Sequence, residues 1–87
     1  MLEFEFDPVK SAANLVKHGI DFIAAQSIWR DTHRIEVPAR TTDESRWMVI
    51  GQLDGRCWSA IVTYRDEHVR IISVRRSREG EVALYEG

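Results

Sequence analysis

At 87 residues the chain forms one small domain, 1–87, whose modest core leaves apolar surface for a partner. A content of 44% hydrophobic and 30% charged residues argues against disorder, and a net charge of −2 sets the chain apart from strongly basic nucleic-acid binders. No apolar run nears the ~18 residues of a membrane span, no leader precedes the first strand pattern, and Cys57 as the only cysteine excludes an internal disulfide. With His18, His33 and His68 scattered, no metal or other cofactor is expected, nor a membrane partner, and the chain is placed in the cytoplasm.

Leu2 to Phe6 alternates apolar and acidic residues, which reads as a half-buried strand. Asp7-Pro8 then opens a helix, with Asp as cap and Pro at its first position. Val9, Ala12, Ala13 and Val16 form one stripe at helical spacing and are expected to face the core. Lys17 and His18 complement the dipole in the last turn, and Gly19 stops the helix. Asp21 caps a second, short helix burying Phe22, Ala25, Ile28 and Trp29, so the two make a helical hairpin. A strand over His33 to Val37 meets Pro38, which confines it to an edge or an end. Ala39 to Ser45 reads as a loop. Arg46 to Leu53 and Cys57 to Tyr64 are strands joined by Asp54-Gly55, a strong hairpin signal. Asp66-Glu67 turns the chain into Val69 to Arg75, and Ser77 caps a final helix running towards Tyr85. The fold class is α+β: an antiparallel sheet with the N-terminal helical hairpin on one face and a short C-terminal helix.

The chemistry concentrates near the end of the chain. Arg65, Arg70, Arg75, Arg76 and Arg78 crowd one strand and its flanks, with Asp66 and Glu67 the acids among them. Guanidinium presents a planar fork of donors that matches phosphate oxygens and does not lose its charge. Simple alternation puts Val69, Ile71, Ser73 and Arg75 on one face and Arg70, Ile72, Val74 and Arg76 on the other. The bland alternative is a set of solvated strand ends whose aliphatic stems cover apolar surface. Proton transfer needs a different residue type, and His18 is the candidate because imidazole ionises near neutrality. Its plain alternative is a helix end meeting the dipole, as for Lys17. Glu81 and Tyr85, four apart, share a helix face, either as site residues or as a surface pair. His33 and His68 are read as structural. Trp47 and Trp58 flank the Asp54-Gly55 turn and either pair across the hairpin or stack on an unpaired base. Cys57 has no Cys–His motif to support a nucleophile.

Phe4-Glu5-Phe6-Asp7-Pro8-x-Lys10 and Asn14-x-x-Lys17-His18-Gly19-Ile20-x-Phe22 resemble the start of BrnT-type toxins. Arg46, Ile50-Gly51, Val62-Thr63-x-Arg65 and Arg70-Ile71-Ile72-Ser73-x-Arg75-Arg76 continue the resemblance to Glu81 and Tyr85. It departs from the family pattern at Val74, where Ala is usual, and in a less basic Ser77-Arg78-Glu79-Gly80 segment. The resemblance implies a RelE-like α+β fold and a metal-independent ribonuclease toxin of a type II toxin–antitoxin pair. It also implies a BrnA-type antitoxin partner, an RNA substrate, and contact with operator DNA only through the antitoxin. Within that expectation His18, Arg65, Arg70, Arg75 and Glu81 are the catalytic set, and Lys17, Arg76 and Tyr85 bind substrate. The rival reading is a non-catalytic module that binds RNA or protein and serves as an antitoxin-bound co-repressor, which a slightly acidic chain also fits.

Overall fold

The computed structural model describes residues 2–39 and 45–87. Its elements are β1 (Glu3–Glu5), α1 (Pro8–His18), α2 (Phe22–Ala25) running into a 3₁₀ turn (Gln26–Arg30), β2 (Ile35–Pro38), β3 (Arg46–Leu53), β4 (Arg56–Arg65), β5 (His68–Arg76) and α3 (Glu79–Glu86). Most of the loop expected between β2 and β3 lies outside the described residues. Among the described residues no helix is long and apolar enough to cross a membrane.

The α+β class holds, but the sheet is mixed rather than antiparallel. Among the described residues five strands run in the order β1-β5-β4-β3-β2. β2 to β5 form an antiparallel meander, whereas β1 pairs parallel to β5, Glu3 opposite His68 and Glu5 opposite Arg70. A parallel pair needs a crossover connection, which α1 and α2 begin. Both hairpin turns use positive φ: Asp54 at 53° with Gly55 at 77°, and Asp66 at 50° with Glu67 at 67°.

One sheet face carries the core. Ile20, Phe22, Ala25 and Ile28 pack there against Val49, Ala60, Val62, Val69, Ile71 and Val74. Phe4 of β1 and Phe6 just beyond it join the core, edge-on to Trp29 and Phe22 respectively. A Cβ on Gly51 would come within 2.8 Å of Ile28 Cγ2, so glycine lets the 3₁₀ turn sit directly on β3.

The roll of α1 is the reverse of the one expected. Val9 and Val16 are 76% and 89% exposed, whereas Ser11 and Asn14 are buried. The reason is hydrogen bonding. Asn14 donates to the carbonyls of Ile20 (2.7 Å) and Val74 (2.9 Å), and its Oδ1 accepts from Val74 N–H (3.2 Å). β1 covers β5 only as far as Arg70. Asn14 therefore takes the place at Val74 that a longer β1 would have occupied, satisfying a buried N–H and C=O. Ser11 Oγ accepts from Phe22 N–H (2.9 Å), fixing the start of α2. Asp7, Gly19 and Asp21 play their expected capping parts. Ser77 does not cap the last helix: Arg78 stands at the N-cap, and Ser77 Oγ is instead shared with Ser59 Oγ at 2.8 Å.

Candidate nucleic-acid interface

The second face of the sheet is where Arg65, Arg70 and Arg75 gather, and a β-bulge brings Arg75 to join the other two. Arg70 stands opposite Thr63, Ile71 opposite Val62, but Ser73 opposite Ile61. Ile72 is thus an extra residue in β5, and alternation resumes out of phase beyond it. Val69, Ile71, Val74 and Arg76 share the core face, while Arg70, Ser73 and Arg75 share the other. The uninterrupted alternation expected from the sequence, which separated Arg70 from Arg75, is corrected by this one insertion.

Arg70 lies in a row with Arg46 and Thr63 across three strands. Arg65 pairs with His68, so Arg65 and Arg70 are diagonal neighbours about 7–8 Å apart. Among the described residues Arg70 has a loose partner: its guanidinium lies 3.8 Å from Glu5, both side chains being more than a third exposed. A phosphate competes readily with a pair of that length and exposure.

Arg75 is held quite differently. Its two terminal nitrogens donate to the two oxygens of Glu81 at 2.8 and 2.7 Å. Glu81 also accepts from Ser59 Oγ (2.8 Å) and Arg78 N–H (3.0 Å). The Arg75 bond above all holds the Glu81 carboxyl at about 2, well below its usual value of 4.5. Glu81 is a fixed carboxylate that pins α3 to the sheet.

His68 is the group that the sequence reading set aside. It stands between Arg65 and Arg70 on the same face. Its Nε2 is 2.7 Å from Glu3, and its Nδ1 is 2.9 Å from the Asp66 carbonyl. The Asp66 contact first, then the charges of Glu3 and Glu5, push its pKa up. The available signal was the spacing Arg65, His68, Arg70 around a two-residue turn; the Glu3 partner is invisible without the parallel pairing.

The remaining candidates disperse. His18 and Lys17 end α1, beyond the Asn14 clamp. Arg76 lies over Trp58 on the core face, 5.6 Å from the ring centre. Trp58 opposes Gly51 and Trp47 opposes Val62, so the two indoles do not pair across the hairpin. Tyr85 donates its hydroxyl to Asp31, and that bond raises its pKa to about 12. Burial pushes the Cys57 thiol up, away from nucleophilic character. Beside the arginines a cleft of about 690 Å³ opens between α3 and the sheet. Val37, Met48, Ile61 and Leu84 supply its apolar walls, with Arg75 and Arg78 among its polar ones. Among the described residues no three His, Cys, Asp or Glu side chains come together to hold a metal ion.

A family model described as "Ribonuclease toxin, BrnT, of type II toxin-antitoxin system" matches residues 6–81. The chain belongs to the BrnT family. A comparison with curated proteins gave no match. Membership makes the chain a ribonuclease toxin with RNA as substrate and an antitoxin protein as partner. The matched span includes the bulged strand, His68, Arg46, Arg65, Arg70, Arg75, Arg76, Arg78 and Glu81, and stops short of Tyr85.

Proposed function

We propose that this BrnT-family chain is a RelE-like endoribonuclease that cleaves RNA without a metal ion, on the arginine face of β4 and β5. The observation that carries the reading is the bulge at Ile72, which brings Arg75 to the face that already holds Arg65, His68 and Arg70. Arg65 and Arg70 grip the phosphate that reacts. The 2′-hydroxyl loses its proton to solvent as its oxygen forms a bond to that phosphorus and the P–O5′ bond breaks, giving a 2′,3′-cyclic phosphate and, once O5′ is protonated, a 5′-hydroxyl. The substrate supplies its own nucleophile, and the same hydroxyl distinguishes RNA from DNA. Guanidinium groups stabilise the extra negative charge of the five-coordinate phosphorus. His68, doubly hydrogen-bonded and inclined to stay protonated, gives its proton to the departing O5′. His18 ranks behind it in this reading, because His68 stands between two of the phosphate-binding arginines. Arg75 orders α3 through Glu81 and faces the cleft, whose apolar walls suit the flat face of an unpaired base. Loss of RNA halts translation and growth in the cytoplasm. A BrnA-type antitoxin neutralises the toxin and carries it to operator DNA.

Purified protein incubated with an RNA oligonucleotide in excess chelator tests this. Cleavage is expected, with cyclic phosphate ends, and a fully 2′-O-methylated strand should stay intact. His68→Gln should slow cleavage by about 10²-fold or more, and His18→Gln by far less. Cutting of the methylated strand, or products ending in a 3′-hydroxyl, would refute attack by the 2′-hydroxyl.

A further inference from the structure

Helix α1 is amphipathic with its apolar side turned outward. Ser11 and Asn14 anchor the opposite side through buried hydrogen bonds to Phe22, Ile20 and Val74. The helix cannot roll to bury Val9, Ala12, Ala13 and Val16 without breaking all of them. This stripe runs the length of the helix, with Val9 76% and Val16 89% exposed, and half-exposed Leu15 widens it on one side. Lys10 and Lys17, seven residues apart, line its other side, about 10 Å from one another along the axis. An exposed apolar stripe that a chain fixes in place, at no gain to its own core, marks a surface for a partner.

We propose that this face of α1 seats an amphipathic helix of the antitoxin, which carries acidic residues against the Lys10 and Lys17 edge. The charge pattern selects this occupant. A row of lysines beside an apolar stripe favours a helix with an acidic flank over a second copy of the chain, whose α1 has no Asp or Glu between Pro8 and His18 to meet them. The helix-against-helix contact uses anchors at i, i+3, i+4 and i+7, the spacing of Val9, Ala12, Ala13 and Val16. The inference rests on family membership for the existence of the antitoxin, and not on the assignment of the RNA-cleaving residues.

The test uses the full chain in the Arg70→Ala background and the antitoxin encoded beside it, with affinity read by calorimetry. Val9→Glu with Val16→Glu should weaken the complex by about thirtyfold or more, because charges would enter an apolar seam. Lys10→Glu should weaken it less and make the remaining affinity less sensitive to salt. Both variants should keep the helical circular dichroism of the parent, since the substituted side chains are exposed. Unchanged antitoxin affinity in the double variant would overturn the proposal. So would a parent that is dimeric alone and turns monomeric on the same substitutions with antitoxin binding intact, which would give the face to a second copy. In the active chain the double variant should still cut RNA but escape rescue by the antitoxin; loss of cutting in that folded variant would assign the stripe to substrate and sink the inference. If the chain with Arg70 intact cut no RNA, the ribonuclease mechanism would fail while the affinity measurement still decided the docking face.

Discussion

Replacing Glu81 with Gln removes one charge from the clasp that holds α3 and leaves its shape nearly unchanged. The carboxylate receives two bonds from Arg75, one from Ser59 and one from the Arg78 amide. Its pKa falls from the ordinary 4.5 to about 2 in the folded chain. Such a displacement is worth at most about 3 kcal/mol of folding free energy. The Arg75 and Glu81 side chains keep 25% and 14% of their surface in water, so screening lowers the figure to about 2 kcal/mol. The folded pKa lies below the unfolded one, so this stabilisation is fully present above about pH 4.5 and is lost as pH falls towards 2. Urea unfolding of the parent and Glu81→Gln, followed across pH, reads both quantities. The expected result is a gap of about 2 kcal/mol at pH 7 that closes steadily below pH 4.5. A gap that persists unchanged to pH 2, or no gap at pH 7, would refute the reasoning.

Three further substitutions probe the frame that positions the site. Asn14→Ala strands the Val74 amide and carbonyl at the open edge of β5, and a loss of about 2–4 kcal/mol is expected in chemical denaturation. Glu67→Gly should stabilise the chain by about 1 kcal/mol, since Glu67 holds a φ of 67° that glycine adopts without a Cβ clash; a lowered melting temperature would contradict this. Gly51→Ala forces a Cβ to within 2.8 Å of Ile28 and should cost about 1–3 kcal/mol, with the Trp29 environment disturbed in near-ultraviolet circular dichroism.

Much of the fold was legible because its signals are local. Asp7-Pro8, Gly19 and Asp21 set the helix ends through bonds made within a few residues. Asp54-Gly55 and Asp66-Glu67 fixed the meander, since a primed turn dictates the pairing of the strands beside it. The errors all come from contacts made across the chain. Apolar spacing in α1 suggested a buried stripe, but Asn14 bonding to Val74 sets the roll of the helix. One inserted residue, Ile72, leaves no mark in composition and yet reverses which arginines share a face. Ser77 has good capping chemistry and spends it on Ser59. His68 looked isolated because Glu3 reaches it only through the parallel β1–β5 pairing. The arginine cluster itself was plain in the sequence. Its division into a loosely held Arg70 and a clasped Arg75 depends on where Glu5 and Glu81 fall in space.

The most direct test of the central claim is induced expression of the chain and of Arg70→Ala, with growth and total RNA followed in both cultures. Arg70 is half-exposed and, among the described residues, its ion pair with Glu5 spans 3.8 Å, so the substitution should leave the fold intact. Growth arrest with RNA loss in the parent, and neither in a soluble, folded Arg70→Ala, is the predicted result. Equal RNA loss in both cultures would remove the arginine face of β5 from the reaction, and normal growth with a folded parent would contradict the ribonuclease reading itself.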